Sequence, residues 1–396
     1  MRRGELPGLT GIRFYAALFV YLYHVVLTIP GVKALSRSNL FSNTADIGVS
    51  FFFVLSGFIL TYNYADVFRD GISAAGYKRF VWDRLMKIYP VHLLTLLLVL
   101  PIAIFSPNLP LDWRAVPLHL LLLQCFWPSS TPAFSGYLNV PSWSISCEWF
   151  FYLVAPLAMF LALGRRRRWL PALVVLAYAF GLALALWNGQ SDEARLYFVS
   201  RFAPSRFAEF LVGVFAARVF LTSSGHTLMG VSGLAQAVGI GLLVAGLVCR
   251  PYAAWPLWGG LLYVPGTVLL ILGLASGRGF FVAHLSRPWL TRLGVASFSL
   301  YLIHAPLLRA VRGVCLHLRW EVRSWPAFGA VVIAMFVVVQ TAALLVCYEY
   351  ELPLQKRLRR VLVLQRDVRD ATPRLDSGAA EQRAVATSGA GRPGLG

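Results

Sequence analysis

Gly11–Ile29 reads GIRFYAALFVYLYHVVLTI. As a helix rising about 1.5 Å per residue, this run is long enough to cross the roughly 30 Å hydrocarbon layer of a bilayer. Two ionisable side chains interrupt it, Arg13 and His24, eleven residues apart. At about 100° per residue the pair returns to within roughly 20° of one helix face, about three turns apart. Such groups are expensive in a membrane helix unless they face protein or a wet cavity. An arginine that can hold an anion, stacked below a histidine that can accept a proton, suits acyl transfer from a phosphate-rich donor.

The rest of the chain agrees with a membrane reading. Of 396 residues, 58% are hydrophobic and only 13% charged, too little charge for the surface of a soluble domain of this length. Apolar runs near bilayer length recur at about 9–29, 46–64, 86–106, 144–163, 169–187, 202–220, 230–248, 257–275, 290–311 and 327–348. Lipid forces backbone groups to pair within a segment, and continuous runs favour helices over alternating barrel strands. The expected fold is an all-α, polytopic integral membrane protein with about ten transmembrane helices. Val116–Trp127 is too short to span and is expected as a re-entrant or interfacial helix. The first apolar run is too long for a signal segment and lacks a small-residue cleavage site, so it is expected to stay in the mature protein.

The net charge of +19 collects between the apolar runs rather than on one soluble face. It therefore points to topology and anionic lipid head groups rather than to nucleic acid. With the N-terminus inside, the cytoplasmic connections hold Lys78, Arg79, Arg84 and Lys87, then Arg165–Arg168, then Arg278 and Arg287, and finally Lys356, Arg357, Arg359 and Arg360. Arg195, Arg201, Arg309, Arg312, Arg319 and Arg323 fall on the outer side and count against this orientation. Both termini are expected in the cytoplasm. The spans form one domain over 1–360, and 361–396 is expected as a disordered basic cytoplasmic tail, since it lacks an apolar period. Cys125, Cys147, Cys249, Cys315 and Cys347 show no metal-ligand spacing and read as isolated small apolar residues, with a Cys125–Cys147 disulfide disfavoured. No metal is expected.

Several other polar residues intrude into the spans. Arg84 and Lys87 share a helix face, and either form a cationic mouth with Arg13 or simply mark the membrane interface. His24 is either a general base for a hydroxyl proton or a structural donor to a neighbouring helix. Ser144, Glu148 and Tyr152 follow one another at four-residue spacing on one face. Glu148 either orients His24 and balances its charge, or is an interfacial carboxylate in contact with water. Trp143 and Trp149 read as interface aromatics, with Trp143 also placed to meet an acceptor. Arg206 and Glu209 are spaced for an intrahelical ion pair. Ser299, Tyr301 and His304 lie in the outer half of one span, where they line an acceptor cavity or tie helices together.

In order along the chain, these segments resemble the acyltransferase-3 family of integral-membrane O-acyltransferases. LPGLTGIRFYAALFVYLYH resembles its first helix, with an Arg, ten residues, then a His. GVSFFFVLSGFIL resembles its second helix, and Arg84–Pro90 its Arg-x-x-Arg-Ile-Tyr-Pro element. SWSISCEWFFYL resembles its Trp-Ser-Leu-x-x-Glu-x-x-Phe-Tyr element, RFAEFLVG and FSLYLIHAPL two later blocks, and Glu351-Leu-Pro353 the closing Glu-x-Pro. The likeness covers roughly 6–358. Ser50 stands where many members carry Asp, and Lys87 where the second arginine is usual, keeping charge but losing bidentate phosphate geometry.

The resemblance implies transfer of an acyl group, commonly acetyl from acetyl-CoA, onto a hydroxyl of a polysaccharide, lipid-linked sugar, macrolide sugar or peptidoglycan. It implies that the first-helix arginine helps hold the donor and that the histidine is catalytic. The expected enzyme is thus a membrane O-acyltransferase in the bacterial cytoplasmic (inner) membrane, using acyl-CoA as co-substrate and a carbohydrate or glycosylated acceptor. Arg13, Arg84 and Lys87 are expected at the donor phosphates. His24 and Glu148 are expected as catalytic residues, and Trp143, Ser144, Tyr152, Tyr301 and His304 around the acceptor. Tyr152 and Tyr301 are candidate oxyanion donors. The alternative is a glycan or lipid transporter or flippase whose path the same polar residues line.

Overall fold

The computed structural model describes residues 4–31, 44–105, 112–126, 138–164, 169–187, 197–222, 230–249 and 260–360. The chain divides into two units, Met1–Pro353 and Leu354–Gly396. The described part of the second, residues 354–360, is helical, and the expected tail 361–396 lies outside the described residues. So do Arg165–Arg168, Arg195 and Trp127.

The first unit is helical, with no strand among the described residues. Its elements are α1 Pro7–Thr28, α2 Thr44–Phe68, α3 Ala74–Ile104, α4 Ala115–Leu120, α5 Ser142–Leu163, α6 Leu170–Trp187 and α7 Ala203–Thr222. They continue as α8 Ser232–Cys249, α9 Val264–Ala275, α10 Phe280–Leu285, α11 Pro288–Val295, α12 Ser297–His317 and α13 Trp325–Leu345. A π-helical turn, Val346–Glu351, extends α13.

Nine of the ten expected spans each overlap one of these helices and 290–311 overlaps two, and among the described residues seven helices are long and apolar enough to cross a membrane. The other three fall short for different reasons. The apolar stretch of α6 is shorter, α9 has 12 residues, and α7 carries Arg206, Glu209 and Arg218. Two boundaries differ from the hydropathy reading. The segment expected at 290–311 is broken at Ala296 into α11 and α12, because apolar content runs unbroken through a turn that hydropathy cannot see. α3 begins twelve residues before the expected 86, where charged residues mask a helix that Ser73 caps by accepting from the Gly76 N–H. The expected short helix survives as α4, whose His119 is buried, as are Leu122, Gln124 and Cys125 just after it.

α1 lies at the centre and packs on α2, α10, α11 and α12. Its run against α2 is antiparallel, since the Thr44 hydroxyl donates to Phe19 O (3.0 Å) and the Tyr62 hydroxyl to Gly4 O (3.3 Å). Large apolar side chains such as Leu97, Val175, Phe180, Ile333 and Val337 are exposed on the outside of the bundle, as lipid contact requires.

One close crossing joins α2 to α7. A Cβ on Gly57 would sit 2.1 Å from Phe210 O, and one on Gly213 would sit 2.0 Å from Val54 O. The two glycines thus let each backbone approach the other reciprocally, the usual solution where helices pack in lipid. Gly57→Ala is expected to cost about 1–3 kcal/mol through overpacking. A thermal-unfolding midpoint in detergent that does not fall would contradict this crossing.

Candidate active site

Residues of α1, α2, α3, α5 and α12 line a partly open cavity. It follows the face of α5 that carries Tyr152, Glu148 and Ser144, as their four-residue spacing predicts. Arg13, Arg84 and Lys87 also line it, so the three expected cations do converge.

Each cation is held differently. Arg84 donates to the Tyr64 hydroxyl (3.4 Å) and its guanidinium lies 5.6 Å from that ring's centroid. Lys87 pairs with Glu351, whose second oxygen accepts from the Ser299 hydroxyl at 2.7 Å. Arg13 makes no hydrogen bond among the described residues, and the carboxylates whose charges act on it are Glu351 and Glu148. A guanidinium with uncommitted donors, facing a cavity, is a ready anion site.

The histidines form a separate cluster. His24 Nδ1 lies 2.8 Å from Val20 O and 3.1 Å from His304 Nε2. His304 Nδ1 lies 3.0 Å from Leu300 O. Carbonyls only accept, so each ring carries its proton on Nδ1. His304 Nε2 is then a bare acceptor sharing the His24 Nδ1–H, which leaves the lone pair of His24 on Nε2. Tyr23 packs edge-on against His24 at 5.0 Å, and Tyr21 and Tyr301 against His304 at 6.3 and 6.2 Å.

Three expectations are corrected by this geometry. Glu148 does not orient His24: it accepts from the Tyr152 hydroxyl at 2.8 Å, and the imidazole is held by Val20 and His304. Arg13 and His24 do not open into one chamber, because neither His24 nor His304 lines the cavity that holds Arg13. Trp143 lies under the Arg206 guanidinium, 5.9 Å from its ring centroid, rather than on the cavity wall. The residue common to both halves is Tyr301. It lines the cavity, packs on His304, and donates to Ser144 Oγ at 2.7 Å while Ser144 donates to Pro141 O.

The Arg206–Glu209 pair forms at 3.0 Å and is buried. Ser50 completes it, donating to Glu209 (3.1 Å) and accepting from Arg206 (3.3 Å). An ionised Asp at this position could accept from Arg206 but could not donate to Glu209. Glu351 and Tyr64 were not singled out as site residues from sequence, and the only signal for Glu351 was its place in the closing Glu-x-Pro element. All five cysteines are free, Cys125 and Cys147 included. Among the described residues no cluster of His, Cys, Asp or Glu could hold a metal ion.

A family profile described as an acyltransferase domain matches residues 6–346. The chain belongs to the acyltransferase-3 family. With its long apolar helices it is an integral-membrane acyltransferase, similar to O-acetyltransferases. It is 30% identical to the acyltransferase MdmB of Streptomyces mycarofaciens over 389 residues, covering 90% of this chain and 93% of MdmB. It is 24% identical to the O-acetyltransferase OatA of Staphylococcus aureus over 326 residues, covering 76% of this acyltransferase but only 50% of OatA. The chain thus spans about half the length of OatA. No solved structure matches it significantly.

The tautomers are directly measurable. Nitrogen-15 spectra of the labelled acyltransferase should show His24 and His304 both protonated on Nδ1, and Nε2-protonated rings would break the hydrogen-bond assignment.

Proposed function

We propose that the protein transfers an acyl group, acetyl in the first instance, from acyl-CoA to a hydroxyl of a carbohydrate or glycosylated acceptor. The observation that carries this reading is the Arg13 guanidinium, facing the cavity with its donors uncommitted, in a cavity whose Tyr301 wall touches the His304–His24 pair. Arg13, Arg84 and Lys87 take the donor's phosphates. The thioester reaches His24 past Tyr301, which requires the Tyr301–Ser144 hydrogen bond to open.

His24 Nε2 removes the acceptor's hydroxyl proton as its oxygen attacks the thioester carbonyl. The Tyr301 hydroxyl, released from Ser144, donates to the developing oxyanion, and Tyr152 is the second candidate. Collapse of the intermediate breaks the carbon–sulfur bond, and the proton on His24 passes to the departing CoA sulfur. His304 is a positioning residue that holds the base in its Nδ1–H form and accepts from the imidazolium. Glu148 belongs to the donor half, where it holds Tyr152 and offsets the cations.

The name of OatA as an O-acetyltransferase supports oxygen as the attacked atom and acetyl as the group. The basic loops support both termini in the cytoplasm, with donor entry from that side of a bacterial cytoplasmic membrane. Trp143, stacked on Arg206, serves the acceptor side by fixing the start of α5.

His24→Ala should lower kcat by about a hundredfold or more in purified enzyme, and normal turnover would reject His24 as the base. Arg13→Ala should mainly raise KM for acyl-CoA. His304→Ala should lower kcat with little change in donor KM, and a change confined to KM would remove it from the histidine pair's role. Label from acetyl-CoA appearing on a glycan or glycoside distinguishes this enzyme from a flippase, which would only move substrate across the membrane.

A further inference from the structure

The phosphates of acyl-CoA are the same before and after the acyl group leaves. Binding energy placed on them therefore holds product as firmly as substrate and accelerates nothing by itself. An unopposed set of three cations in one cavity would retain spent CoA. The Arg13, Arg84 and Lys87 site is instead opposed by two carboxylates, Glu148 and Glu351.

Glu351 is the more deliberately placed of the two. It ends the π-helical turn Val346–Glu351, a local departure from α geometry of the kind that recurs at functional sites. Its side chain is 0% exposed, whereas that of Lys87 is 26% exposed and is among those lining the cavity. Ser299 on α12 fixes one oxygen and Lys87 on α3 takes the other. Its charge also acts on Arg13, as that of Glu148 does. An ammonium has three donors, so Lys87 can keep Glu351 and still meet a phosphate.

We propose that Glu351 is a positioning residue that sets the donor's residence time. Acting through Lys87, it removes one unit of charge from the phosphate site, so that CoA can leave. This rests on the acyl-CoA reading above. A merely structural carboxylate would weaken the site when neutralised, whereas a tempering one should strengthen it.

The test measures CoA binding to full-length protein in detergent, with acetyl-transfer kinetics alongside, for wild type, Glu351→Gln, Glu351→Asp and Lys87→Met. Glu351→Gln should bind CoA about tenfold more tightly, since a negative charge next to an anion site is gone. Its KM for acetyl-CoA should fall, and its kcat should fall as release slows. Glu351→Asp should return towards wild type, and Lys87→Met should bind more weakly. If wild type binds no CoA, the acyl-CoA reading fails and this inference with it. If wild type binds and folded Glu351→Gln binds equally or more weakly, the inference alone is overturned. Should Glu351→Gln not fold, wild type is compared with Glu351→Asp, whose shorter carboxylate stands back from Lys87. It should bind CoA more tightly than wild type though less tightly than full neutralisation would give, and equal or weaker binding overturns the proposal.

Discussion

A half-buried guanidinium in the central helix of an apolar bundle is the constraint around which this protein is organised. Water cannot solvate Arg13 freely, and hydrocarbon cannot solvate it at all, so protein charge has to. That charge comes from Glu148 on α5 and Glu351 after α13, which are far apart in sequence. Both segments must therefore converge on α1. The ion pairs and hydroxyl contacts that hold them, Lys87–Glu351, Ser299–Glu351 and Tyr152–Glu148, follow from that requirement.

The polar interior is divided rather than continuous. Cations and carboxylates occupy the cavity, the two imidazoles sit beside it, and Tyr301 stands between them. In the proposed reaction this division has a chemical use. A thioester bound at the cations does not meet a competent base until the Tyr301–Ser144 contact opens, which limits wasteful transfer to water.

What the sequence revealed was whatever helical periodicity carries. The face shared by Ser144, Glu148 and Tyr152, the Arg206–Glu209 pair and the convergence of Arg13 with Arg84 and Lys87 were all legible. What it hid were partners supplied by distant helices. His24 finds His304 from 280 positions away, and Lys87 finds Glu351 from 264. A single helix shows which way a side chain points but not what waits there, and so Glu148 was paired with the wrong neighbour. The break at Ala296 was hidden for a related reason, since a turn between two apolar helices leaves no polar gap. Trp143 was read as a membrane-interface aromatic because nothing local announces the arginine above its ring.

The reciprocal glycine crossing of α2 and α7 bears on how such a divided interior works. Two backbones in such contact leave no room for a side chain between them, which fixes the spacing of this seam. The same device fastens α1 to α10 and α11, where a Cβ on Gly11 would sit 2.0 Å from Leu285 O and one on Gly294 would sit 1.9 Å from Thr10 O, so the helix that carries both Arg13 and His24 is pinned as well.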